Sequence, residues 1–216
     1  MLSHGGDRLS TSFLSPDFWE NRYQENTARW DLGQPALAFV DWLTDRQPQP
    51  GRMMVLGAGR GHDALWFASH GFEVVGVDFA PSAVEQARAL AQEQQLSAQF
   101  QQHNIFELPD DWHHSFDYVL EHTCFCAIAP EQRPAYVQVV QQLLKPTGQF
   151  IGLFWAHDRP GGPPFGSRVA DIQAIFSEYF DVSSLKPVAR SVPQRQGEEY
   201  LAQFPMKGAI AQSRLN

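Results

Sequence analysis

Apolar runs and stretches of helical spacing alternate along most of this chain. Runs at Arg52–Leu56, Glu73–Asp78, Gln99–His103, Phe116–Leu120 and Phe150–Trp155 predict strands. Helical patterns fall between or after them at Gly61–His70, Pro81–Gln95 (with an alanine-rich face), Pro130–Leu144 and Ser167–Tyr179. Two more strands are predicted near Phe180–Ala189 and Glu199–Pro205. No helical pattern separates these two, so they should form an antiparallel pair at one edge. Upstream, Ser15-Pro16-Asp17 reads as an N-cap with proline at the first helical position, and Gly33-Gln34-Pro35 opens a second helix that runs to about Thr44. The expected fold is α/β and Rossmann-like: a seven-stranded, mostly parallel sheet with helices on both faces. Residues 1–15 lack periodicity and are expected to be a mobile arm, with 16–210 forming a single domain.

One βαβ unit carries more chemistry than the rest. Its first strand ends in Gly57-Ala58-Gly59-Arg60-Gly61, and its second ends in the carboxylate of Asp78. Glycines let the backbone approach a ligand, and an acid at the tip of the next strand can accept both ribose hydroxyl protons. The turn is G-x-G-x-G, not the G-x-G-x-x-G that seats a dinucleotide pyrophosphate on a helix N-terminus. A nucleoside with an amino-acid tail suits it better, which points to S-adenosylmethionine as cofactor. In an open parallel sheet the ligand lies beyond the carboxyl ends of the strands. Phe79 then covers one face of the base, and Asn104 and Ile105 meet the adenine edge and ring. Glu121, His122 and Thr123 fall near the reactive end of the cofactor. The plainer alternatives are an ordinary tight turn for the glycines and an N-cap before Pro81-Ser82 for Asp78.

Composition narrows the partners. The formal net charge is −8, which disfavours nucleic acid and anionic membranes. No leader-like apolar stretch and no apolar run approaching the roughly 20 residues of a membrane span is present. Cys124 and Cys126 are the only cysteines, too few and too close to staple a fold, so a cytoplasmic location is expected. On an extended segment two thiols at i and i+2 would face one side and could chelate a metal or arsenic. No further ligand completes a set, however, and buried free cysteine is common, so no metal is expected.

Several segments together are more specific. Trp19-Glu20 with Tyr23, Arg29–Gly33, Leu56–Gly61, Gly76–Asp78, Phe125–Pro134, Leu143–Pro146 and Gly161–Phe165 span most of the chain. In them it resembles the thiopurine-methyltransferase-like superfamily, most closely its halide and thiol methyltransferase branch. That resemblance implies a class I S-adenosylmethionine-dependent methyltransferase. Trp19, Tyr23 and Trp30 would surround the cofactor from the N-terminal side, with Gly57 and Gly59 against its amino-acid and ribose parts. Asp78 would hold the ribose, Asn104 and Ile105 the adenine, and Glu121 would lie near the methionine amino end. Three positions depart from the common pattern: Tyr23 where Trp is frequent, Asn104 where Asp is common, and Glu121-His122 where Asp-Tyr is frequent.

The implied activity is in-line methyl transfer to a small soft nucleophile: halide, thiocyanate, hydrosulfide or thiol. Such a step needs alignment and desolvation more than acid–base chemistry, so no catalytic triad is expected. Arg133 could attract an anion or be an exposed helix arginine. Gly161–Phe165 should form a loop over the substrate or a simple connector. Phe18, Phe125, Phe154 and Phe165 could give the substrate pocket a dry wall, though core packing competes for each. A small-molecule or inorganic anion is the expected partner, and a monomer the expected state. Larger aromatic or heterocyclic thiols and selenium or tellurium species form an alternative acceptor class. A non-catalytic S-adenosylmethionine sensor is the alternative from another class, and a nicotinamide dehydrogenase is disfavoured by the missing second half-site.

Overall fold

The computed structural model describes residues 15–207. Residues 1–14 of the arm expected at 1–15, and the last residues of the expected domain, 208–210, lie outside the described residues; Ser15 is described and caps the first helix. Helix α1 (Pro16–Gln24) starts where the sequence places its cap, with the Phe18 N–H donating to Ser15 Oγ at 3.3 Å. Helix α2 (Leu37–Arg46) follows, and then β1 (Arg52–Leu56), α3 (His62–Ser69), β2 (Glu73–Asp78), α4 (Pro81–Glu93) and β3 (Ala98–Gln102). The second half runs β4 (Phe116–His122), α5 (Arg133–Leu143), β5 (Leu144–Trp155), α6 (Val169–Phe176), β6 (Lys186–Pro187) and β7 (Glu199–Pro205). Seven strands form one sheet in the order β3-β2-β1-β4-β5-β7-β6. The first five are parallel, and β7 runs antiparallel to both β5 and β6. The expected edge pair is therefore present.

Period-two alternation sends neighbouring residues of each central strand to opposite faces. Met53 and Val55 pack with Phe39, Trp42 and Phe67 on the side of α2 and α3, while Met54 and Leu56 pack with Tyr136, Val140 and Phe176 on the side of α5 and α6. The second face is dominated by phenylalanine: Phe150 stacks on Phe176 with ring centroids 4.9 Å apart, and Phe154 meets Phe125 edge-on at 5.2 Å. Burying that much aromatic surface on both faces drives the fold.

Most boundaries shift by one or two residues from the sequence expectation, and four elements differ more. The helix expected from Pro130 divides into a 3-10 turn (Pro130–Gln132) and α5, with Pro134 placed in the first turn, where a missing N–H costs nothing. Strand β5 starts at Leu144, ahead of Phe150, because Leu144 pairs with Phe116 before a register shift. Helix α6 is shorter than the expected Ser167–Tyr179, and the strand near Phe180–Ala189 shrinks to Lys186–Pro187, whose proline has no N–H for the ladder. Among the described residues no helix is long and apolar enough to cross a membrane.

Candidate active site

Register brings the chemistry to one end of the sheet. Leu56 pairs with Val77 on one side and with Glu121 on the other, so β1, β2 and β4 finish level with one another. The loops they release border a cavity of about 990 Å³. Its wall includes Trp19, Tyr23, Trp30, Gly57, Asp78, Phe79, Asn104 and Ile105, eight of the ten residues expected at a cofactor. Gly59 lines a smaller adjoining cleft of about 50 Å³, together with Asp63, His122 and Thr123.

The glycine turn is built for close approach. Gly57 (φ +64°) has the Cys124 side chain against it, so an added Cβ would lie 2.9 Å from Cys124 Cβ. At Gly59 (φ +54°) the same Cβ would lie 2.9 Å from the Tyr23 hydroxyl. Both positions need a left-handed backbone and absence of a side chain. Asp78 is buried at 8% exposure; its Oδ2 accepts from the Gly59 N–H (2.8 Å) and its Oδ1 from the Ala80 N–H (2.9 Å). Burial pushes its carboxyl above the usual range, and those amides work against that. Each oxygen retains acceptor capacity toward the cavity. A nucleoside diol, which donates two hydroxyl protons, fits this pair of acceptors. The capping task considered for Asp78 at α4 falls instead to Glu20, which reaches over from α1 to accept from the Ser82 N–H at 3.0 Å.

The aromatic side of the wall is held by its own contacts. The Trp30 indole N–H donates to the Tyr23 hydroxyl at 3.1 Å, and Trp19 meets Trp30 edge-on at 5.3 Å. Asn104 uses its Oδ1 to accept from the Phe106 N–H at 3.0 Å, which leaves its amide N–H donors for a ligand.

Other expected site residues sit elsewhere. Glu121 is 1% exposed and turned beneath the wall, where it accepts from the Phe125 N–H (3.1 and 3.0 Å) and the Tyr136 hydroxyl (3.1 Å). Burial pushes its pKa up to about 7 despite those bonds. Phe125 belongs to the phenylalanine core, and Phe18 lies under the Arg22 guanidinium at 3.7 Å. Arg133 is neither exposed nor on the wall: it packs over the Phe125 ring and donates to the carbonyls of Phe165 (3.1 Å) and Gly166 (3.0 Å). Phe165 in turn donates its N–H to the Cys126 carbonyl at 2.7 Å. The 161–166 loop is thus anchored from below, while its Pro163 and Pro164 face the cavity. Cys124 and Cys126 also face the cavity, from a turn rather than an extended segment, with Thr123 in the left-handed region (φ +61°). Burial raises both thiols, Cys126 to about 12, which keeps them protonated.

Several wall residues escaped the sequence reading, among them Trp155, Val192 and Arg195. Of the three arginines lining the cavity, Arg195 is the buried one, at 5% exposure. It stands over Trp155 at 5.1 Å, and its Nη1 donates to Glu199 Oε1 and His122 Nε2, each at 3.2 Å. Its place before β7, far along the chain from the glycine turn, left no local signal to find it.

The sheet order, with its antiparallel β7, and a cradle of glycines facing an acidic strand tip define a class I methyltransferase. The chain belongs to the thiopurine S-methyltransferase (TPMT) family, whose model matches residues 14–207. It is 33% identical to thiocyanate methyltransferase 1 of Arabidopsis thaliana over 86% of this chain and 83% of that one. It is 27% identical to the thiopurine S-methyltransferase of Shewanella loihica, covering 80% of this chain and 86% of that one. In fold it is similar to the 1,6-didemethyltoxoflavin-N1-methyltransferase of Burkholderia thailandensis, solved with bound 1,6-didemethyltoxoflavin and S-adenosylhomocysteine (TM-score 0.71, 22% identity, 89% and 86% coverage). The methyl donor of the family is S-adenosylmethionine.

Proposed function

We propose that this enzyme transfers a methyl group from S-adenosylmethionine to a small soft nucleophile (halide, thiocyanate, hydrosulfide or thiol) by in-line displacement. The bound donor supplies a sulfonium methyl, an electrophile that needs no metal and no covalent intermediate on the protein. Trp19, Tyr23 and Trp30 shield it, Gly57 and Gly59 give it backbone access, and Asp78 accepts from its ribose. Asn104, Ile105 and Phe79 hold the adenine.

The acceptor side comprises the 126–132 turn, Trp155, Pro163, Pro164 and Arg195. Arg195 carries the substrate reading. A guanidinium is always charged; this one is buried, and its protein hydrogen bonds run through Nη1. Nε and Nη2 remain to receive an anion. Its charge is paired with Glu199, so what it offers are aimed N–H donors among aromatic and proline surfaces, which hold a weakly hydrated anion and strip its water without taking a proton from it. Cys124 and Cys126, held as neutral thiols, do not compete for the methyl group. The Arabidopsis relative's name points to the same acceptor class.

A second reading, a larger aromatic or heterocyclic thiol, is favoured by one observation. The cavity is near the upper end of the roughly 300–1,000 Å³ typical of small-molecule sites, which leaves room beside the donor. Headspace gas chromatography with iodide, run beside an aromatic thiol under the same conditions, separates the two. Methyl iodide formation at the higher kcat/KM supports the small-anion reading, and turnover of the aromatic thiol alone overturns it.

A further inference from the structure

A line of hydrogen bonds crosses the site from the N-terminal cover to the last strands. The Ala36 N–H, just ahead of α2, donates to Asp63 Oδ1 at 2.7 Å, and Asp63 Oδ2 lies 2.7 Å from His122 Nδ1. His122 Nε2 meets Arg195 Nη1 at 3.2 Å, Arg195 bonds Glu199 Oε1, and the Ser191 hydroxyl donates to Glu199 Oε2 at 2.6 Å. The chemistry of the two ends fixes the middle. Asp63 as a carboxylate only accepts, so His122 Nδ1 carries the proton. Arg195 only donates, so His122 Nε2 must present a lone pair. The imidazole is therefore the neutral Nδ1–H form, pinned between a carboxylate and a guanidinium, with the Phe39 ring edge-on at 5.8 Å.

We propose that His122 is the positioning residue that aims Arg195 into the cavity, so that affinity for an anionic acceptor depends on the hydrogen bond that His122 Nε2 accepts from Arg195 Nη1. This rests on the reading of Arg195 as the anion-facing cation. Without that bond Arg195 loses one of the two partners that hold Nη1 and keeps Glu199 alone. The expected result of removing it is a higher acceptor KM, with kcat much less affected.

Three measurements decide it. Imidazole nitrogen NMR of the ligand-free protein should show His122 protonated at Nδ1 and bare at Nε2; the opposite tautomer overturns the proposal without reference to activity. His122→Phe, which removes both bonds, should raise the thiocyanate KM about tenfold, the scale of a hydrogen bond to a charged group, while affinity for S-adenosylhomocysteine by calorimetry stays within about twofold. His122→Gln offers Arg195 an acceptor and Asp63 a donor. It should recover most of the lost affinity. If the phenylalanine variant folds by circular dichroism and binds thiocyanate as the parent does, or if the glutamine variant recovers none of the affinity that the phenylalanine variant loses, His122 does not position Arg195. Absence of turnover with every anion would instead count against the functional reading, with the tautomer still testing the relay.

Discussion

Asp78 does two jobs with one carboxylate. Two backbone amides, from Gly59 and Ala80, end on it, and the same oxygens face the cavity. Replacement therefore has a structural as well as a binding consequence. Asp78→Asn keeps the volume and should lower S-adenosylmethionine affinity on the order of 100-fold, since hydrogen bonds to a charged acceptor contribute about 1.5–3 kcal/mol each. Calorimetry checks this, and unchanged affinity would remove Asp78 from the ribose. Asp78→Ala should lose binding too, with a lower melting temperature because two N–H groups lose their acceptor. Glu121 makes a different prediction. Its folded pKa of about 7 lies above the ordinary 4.5, so between those values the folded protein holds a proton that the unfolded chain releases. Stability from this group is highest below that window and falls as pH rises through it, by at most about 3 kcal/mol. Glu121→Gln removes the slope. Urea unfolding at about pH 5 and about pH 8 should show the variant gaining on the parent at the higher pH; a constant difference would mean that Glu121 ionises as freely folded as unfolded.

At the level of elements, the parts that local pattern determines were readable and the parts that long-range contact determines were not. Strands β1 and β2 fall where their apolar runs lie, and Ser15 caps α1, because run length and a polar cap are local signals. The glycine turn and Asp78 were legible for the same reason. Arg195 was not: nothing near Pro193-Gln194-Arg195 announces a buried cation, and only the return of β7 beside β5 brings it to the wall. Arg133 was misplaced because the sequence shows a helix start but not the loop carbonyls that its guanidinium meets. Glu121 sits at the right strand end, yet the turn that follows folds back over it and takes up its oxygens. For the 161–166 loop the consequence is testable. Arg133→Met keeps a stem over Phe125 but drops both carbonyl bonds, at a net cost of about 1–2 kcal/mol given the desolvation of the buried guanidinium. Proteolysis within the loop should speed up several-fold relative to the parent; an unchanged cleavage rate would show that Arg133 does not anchor it.

Across the whole molecule, two cores on opposite faces of the sheet fix the strand ends, and the strand ends fix the cavity. The half of the wall assigned to the donor comes from the first half of the chain, and much of the acceptor side comes from segments after β4 and β5 together with the approach to β7. On the proposed assignment, the donor half and the acceptor half of the wall come from different parts of the chain. The central claim is acceptor-dependent methyl transfer. The most direct test incubates the purified protein with S-adenosylmethionine and follows S-adenosylhomocysteine formation with thiocyanate, iodide, hydrosulfide or no acceptor. Formation that requires an acceptor and matches methylated product one for one is the predicted result. Tight binding of S-adenosylmethionine with no S-adenosylhomocysteine formed from any of these acceptors or from an aromatic thiol would contradict it.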